Sequence, residues 1–204
     1  MSVEIEQERT GDPATRALED LRWIRDTMER SEGFTAVSGR ALMAVGLIAL
    51  IAAAASTFVV HAAPGSDAWI AVWGAAGAFA LVLGAGALVK KARRHGVAIE
   101  RGPGRKLLLC LGGPLAAGLV LTIALVRVDA RALLAGVWLS LYGAGVVAAG
   151  AFSTRSVPWL GAACMALGAA SLLVPEIPPD AALAVGFGLL HLIVGARIAR
   201  RHGG

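Results

Sequence analysis

Residues 68–106 read AWIAVWGAAGAFALVLGAGALVKKARRHGVAIERGPGRK. The stretch 68–89 has no charged side chain, whereas 90–106 holds Lys90, Lys91, Arg93, Arg94, Arg101, Arg105 and Lys106 against Glu100 alone. An apolar run of about 20 residues, rising 1.5 Å per residue, crosses a hydrocarbon core about 30 Å thick. Lys and Arg that follow a span directly are retained on the cytosolic side. This segment therefore predicts a transmembrane helix that ends inside the cell.

Five further runs of the same kind flank it, at 41–61, 107–126, 132–152, 157–174 and 181–198. Together they account for the bias of the whole chain, which is 57% hydrophobic and 16% charged over 204 residues, with a mean hydropathy of +0.70. A water-soluble core cannot absorb that much apolar surface. The fifth run is the shortest, bounded by Pro158 and Pro175. The expected fold is all-α: a polytopic membrane protein of six transmembrane helices arranged as three hairpins, preceded by a cytosolic amphipathic helix. Residues 1–38 form the N-terminal segment and residues 39–204 the transmembrane domain with its basic tail.

All of the nineteen Lys and Arg residues except Arg127 and Arg131 fall on one side if each run crosses once. Both termini are then expected in the cytosol and the protein in the inner membrane of a bacterium. The first run follows a charged stretch and is expected to stay as a signal anchor. Topology also explains the net charge of +5, so no nucleic-acid partner is expected. Membrane lipids are expected partners, with the basic segment 90–106 placed to touch anionic headgroups. Cys110 and Cys164 lie inside apolar runs and fit no zinc or redox spacing.

The N-terminal segment reads as a helix from 13 to about 31. Asp12 and Pro13 supply an N-cap and a preset first residue, and Gly33 suits the position just past the end. Ala14, Ala17, Leu21, Ile24 and Met28 recur at helical spacing and make one face apolar. Leu21, Ile24 and Met28 are the candidate partner face. Three fates suit it: docking on the bundle or a partner subunit, lying in the headgroup layer, or pairing with a second copy as a short coiled coil.

Each of the second, fourth and sixth runs follows an Asp-Ala pair, Asp67-Ala68, Asp129-Ala130 and Asp180-Ala181. Either one hairpin is written three times, or Asp simply caps a helix that starts at the outer boundary. Small residues spaced by four, such as Gly145 with Ala149, Ala80 with Gly84, and Ala162 with Ala166 and Ala170, predict close helix packing. Pro114, after Gly112 and Gly113, is a candidate kink, since it removes a backbone hydrogen bond from the third helix.

No Asp, Glu, Lys or Arg lies in the middle of a run, which argues against proton- or ion-coupled transport and against charged pore rings. His191 is the one ionisable side chain well inside, with Ser140 and Tyr142 at similar depth. These three are the candidate functional polar site. Pairing across helices, a proton-responsive or ligand-contacting role, and a metal or haem ligand all remain open for His191, although no second axial ligand is evident. Trp69 and Trp159 suit interfacial anchoring, and Trp73 and Trp138 suit packing. No catalytic motif is present and no cofactor is expected.

The segments LYGAGVVAAGAFSTRSVPWLG (141–161), GFGLLHLIVGARIARRHGG (186–204) and IRDTMERSEGFTAV (24–37) resemble an uncharacterised family of bacterial six-span proteins. That resemblance implies no known activity. The hairpin of residues 159–199 is similar, more distantly, to the HdeD acid-resistance membrane proteins, which also have six spans but lack such an N-terminal helix. The expected role is non-enzymatic: a scaffold, accessory or stress-linked protein acting through its cytosolic helix on a second copy or a membrane partner protein. The alternative is a small permease for a neutral or hydrophobic solute, with Pro114, Tyr142 and His191 lining the path.

Overall fold

The computed structural model describes residues 19–22, 38–94, 103–150 and 156–202. Residues 19–22 are helical and exposed, with Leu21 61% accessible. Ile24 and Met28, the rest of the candidate partner face, lie outside the described residues.

The described residues from 38 onward form a bundle with six helices, each long and apolar enough to cross a membrane. Helix α1 runs Gly39–Ala54 and continues as a π-helical segment, Ala55–Val59. Its N-cap is Ser38, whose side chain accepts from the Ala41 amide at 3.4 Å. Helix α2 spans Asp67–Arg94 and α3 spans Pro103–Arg127. A 3₁₀ turn, Arg131–Leu133, leads into α4, Leu134–Gly150. Helix α5 is Ser156–Leu173. Helix α6 has three consecutive parts: α-helical Pro179–Leu183, π-helical Ala184–Leu189 and α-helical Leu190–His202. Among the described residues there is no strand.

The expected hairpins exist as chain connections, but the closest backbone approaches include pairs from different hairpins. Helix α4 packs along α5, and α1 packs along α6. Both pairs are antiparallel and are built on glycines seven residues apart. On α1 and α6, Gly39 faces Gly195 and Gly46 faces Gly188. On α4 and α5, Gly136 faces Gly168 and Gly143 faces Gly161, while Gly150 lies on the Pro158 ring. A Cβ at Gly46 would stand 2.7 Å from the Gly188 carbonyl oxygen, and one at Gly143 would stand 2.6 Å from that of Gly161. Lipid tails are as apolar as side chains, so helices in a bilayer associate through such dense contact rather than through hydrophobic burial. A seven-residue repeat keeps the small residues on one seam over two turns.

Helices α2 and α3 are attached differently. Only 11% of the most apolar window of α2 is buried, and none of that of α3, against 44% for α4. Helix α3 packs on α4, where Gly145 approaches Leu111, the Cys110 carbonyl and the Pro114 ring. Pro114 lies within an unbroken helix, and its ring fills the notch that Gly145 leaves. Around Gly74, Gly77, Gly84 and Gly86 on α2, and Gly112 and Gly113 on α3, none of the described residues stands within 4 Å of a Cβ position.

The three Asp-Ala pairs meet different fates, which weakens their reading as one repeated hairpin. Asp67, in the first turn of α2, receives Arg131 at 2.6 Å, and the same guanidinium donates to the Gly65 carbonyl at 3.2 Å. The Trp69 amide is capped by the Ser66 hydroxyl rather than by Asp67. Asp129 occupies a left-handed turn with φ 56°. Asp180 serves the tryptophans described below.

Candidate functional site

His191 is fully buried on α6. Its Nδ1 lies 3.0 Å from the carbonyl oxygen of Gly186, and its Nε2 lies 2.6 Å from the Tyr142 hydroxyl on α4. A carbonyl can only accept, so Nδ1 carries the proton. In the neutral ring Nε2 is then the acceptor for the Tyr142 hydroxyl.

The Gly186 carbonyl is open to this bond because of the π-helical segment. At its end the Leu190 amide donates to Val185, five residues back, where an α-helix would direct it to Gly186. The Gly186 oxygen instead takes the His191 ring and, at 3.7 Å, the thiol of Cys164 on α5. Phe187 closes the site: its ring stands edge-on to Tyr142 at 5.1 Å and tilted to His191 at 6.1 Å. A single carbonyl released by the irregularity in α6 thus ties together residues of α4, α5 and α6.

Of the candidate polar trio, the structure joins Tyr142 and His191 and separates Ser140. The Ser140 side chain lies against Gly168 in the α4–α5 seam. Cys164 and Gly186, which the sequence reading left out, take the place expected for it. Cys164 is indeed a small buried side chain, but its thiol is also a donor. Among the described residues no group of three or more His, Cys, Asp or Glu side chains is placed to hold a metal.

A second polar cluster occupies the opposite end of the bundle from the Lys/Arg-rich loop. One carboxylate oxygen of Asp180, in the first turn of α6, accepts from the indole nitrogens of Trp69 at 3.0 Å and Trp73 at 2.9 Å. Trp69 stacks on Trp138 of α4 at 5.4 Å, with planes 12° apart. Trp138 donates to the Thr122 hydroxyl of α3 at 2.8 Å, which in turn donates to the Gly118 carbonyl at 2.7 Å. Four helices are joined through these contacts.

Trp69 is therefore a core residue, 1% accessible, and not the interfacial anchor expected of it. It sinks inward because Asp180 satisfies its polar edge, which otherwise seeks water or headgroups. Trp159 is 75% accessible, as an anchor would be. The Trp69/Trp73 spacing of four residues, on one helical face, was the visible signal for this cluster. The Ser56 hydroxyl, in the π-helical segment of α1, is fully buried and has no hydrogen-bond partner among the described residues.

No protein-family model, curated protein or solved structure matches this chain.

Proposed function

We propose that the chain is a non-enzymatic integral membrane protein that works by contact, as a scaffold or accessory subunit, with its basic loops and both termini in the cytosol. The observation that supports this reading is the difference between its two sets of glycines. Wherever glycine lies in a seam of α1, α4, α5 or α6, another helix backbone or side chain occupies the space. On α2 and α3, among the described residues, Gly74, Gly77, Gly84, Gly86, Gly112 and Gly113 face nothing, and Gly118 alone meets a side chain, that of Leu141 at 3.7 Å. These two spans are poorly buried by their own chain, so their surfaces are available to a helix of another membrane protein or of a second copy. The segment before residue 38, for which the sequence predicts an amphipathic helix, is the second contact of this proposal.

The closed Tyr142–His191 pair counts against the permease reading, because both ring nitrogens are already bonded and the ring is fully buried. A stress-linked role enters the favoured reading only as a proposal, from the resemblance read in the sequence of residues 159–199.

The test is purification of the full chain in mild detergent, with identification of co-purifying chains. A stoichiometric companion, or a second copy, that is lost on Gly84→Leu or Gly112→Leu and on deletion of residues 1–33 while insertion persists supports the proposal. A monodisperse single chain that carries a solute across reconstituted vesicles, with flux abolished by His191→Ala, overturns it.

A further inference from the structure

Helix α2 changes character along one stripe. Gly86, Val89, Lys90 and Arg93 follow at i, i+3, i+4 and i+7, the spacing of a single helical face, and they border a shallow, mostly open depression. Lys90 and Arg93 are exposed. Four and seven residues before Gly86, the same face presents Val82 and Phe79, which are 72% and 60% accessible. Between the apolar and cationic halves Gly86 leaves a notch, with none of the described residues within 4 Å of its Cβ position. Gly77 and Gly84, a heptad apart, lie on a different face.

The dimensions suit a lipid molecule. At 1.5 Å per residue the helix rises about 16 Å from Phe79 to Lys90, close to half of a hydrocarbon core about 30 Å thick. The cations therefore stand at headgroup level when Phe79 stands near the bilayer midplane. The charge is one-sided as well, since Glu100 is the only acidic residue between Asp67 and Asp129. An ammonium and a guanidinium one turn apart suit a phosphodiester, the guanidinium through paired N–H donors.

We infer that this stripe binds one anionic glycerophospholipid, its phosphate on Lys90 and Arg93, its glycerol in the Gly86 notch and an acyl chain along Val82 and Phe79. Topology alone asks only that positive charge be somewhere in the loop. The lipid site asks that positions 90 and 93 be in line with an open position 86.

The test is native mass spectrometry of the full chain in mild detergent, with phosphatidylglycerol, phosphatidylcholine or free glycerol phosphate added. Phosphatidylglycerol is expected to be retained in preference to phosphatidylcholine, and free glycerol phosphate is expected not to compete. Lys90→Gln with Arg93→Gln should weaken phosphatidylglycerol retention roughly 30-fold, from about fivefold per headgroup-level cation. Gly86→Leu, which keeps every charge, should weaken it by about fivefold or more, because the notch is filled. Arg105→Gln with Lys106→Gln removes the same charge from the first turn of α3, within the same basic segment 90–106, and should change it by less than about threefold.

Equal loss in the two double variants reduces the effect to loop charge and overturns the inference. So do equal retention of both lipids, competition by glycerol phosphate, or an unaltered Gly86→Leu variant. Should the Lys90/Arg93 double variant fail to insert, Lys90→Gln and Arg93→Gln singly carry the same test at about fivefold each.

Discussion

The hydroxyl of Tyr142 on α4 stands 2.6 Å from Nε2 of His191 on α6, and the other nitrogen of that ring is held by the Gly186 carbonyl. The two bonds fix the ring from opposite edges. The buried imidazole is thereby part of the bundle's framework.

Tyr142→Phe keeps the aromatic shape and removes one donor, leaving Nε2 buried without a partner. Such an orphaned group costs about 1–3 kcal/mol, seen as a lower midpoint in thermal or SDS unfolding of the detergent-solubilised protein. Adding His191→Leu removes the orphan, and the double variant should be more stable than the sum of the single losses predicts. Additive losses would show that the two side chains are not coupled.

The seam glycines and the open glycines should respond oppositely to enlargement. Gly46→Leu or Gly143→Leu drives a side chain into a facing backbone, and the bundle should lose at least about 1–3 kcal/mol or fail to assemble. Gly77→Leu and Gly113→Leu enter open space, so the single chain's melting temperature should stay within about 2 °C of wild type, the scale of a surface substitution in a domain this size. Size-exclusion chromatography and thermal shift would read both sets. A seam variant that melts like wild type would refute the assigned helix contacts.

Asp180→Ala removes the acceptor of two indole N–H groups at once. Hydrogen bonds to a charged partner contribute about 1.5–3 kcal/mol each, so α2 should loosen from α6, with a red-shifted tryptophan emission as the indoles meet water or headgroups. Asp180→Asn retains a carbonyl oxygen and should fall between. An unshifted spectrum in both variants would contradict the clamp.

The charge pattern predicts that a cysteine placed at Ser66 is labelled by a membrane-impermeant maleimide from outside intact cells, and one placed at Glu100 only after permeabilisation, in a background with Cys110 and Cys164 replaced by alanine. The reverse pattern would invert the orientation.

The spans were legible because one-dimensional hydropathy carries them: the run read at 157–174 appears as Ser156–Leu173, and the run at 41–61 as Gly39–Val59. Partner choice was not legible in the same way. The spacing rule that singled out Gly145 found a true contact with α3, yet it also singled out Ala162 and Ala166, which are exposed. The working period is seven, visible in Gly39/Gly46, Gly136/Gly143/Gly150, Gly161/Gly168 and Gly188/Gly195. It becomes meaningful only when a facing helix is known.

The depth of His191 and its neighbour Tyr142 could be read by counting residues from the span boundary. The roles of Gly186 and Cys164 could not, because they depend on a single extra residue per turn between Ala184 and Leu189. No side-chain pattern announces such a local widening of the helix.

The stacking of Trp69 on Trp138, with Trp73 sharing the same carboxylate, also makes the molecule its own optical gauge. Of its five tryptophans, these three report from one end of the bundle, where a tilt of α2 away from α6 releases two indoles in one step. Separation of that helix from the others can thus be followed in the purified protein, in time and without a dye, by the colour and polarisation of its emission.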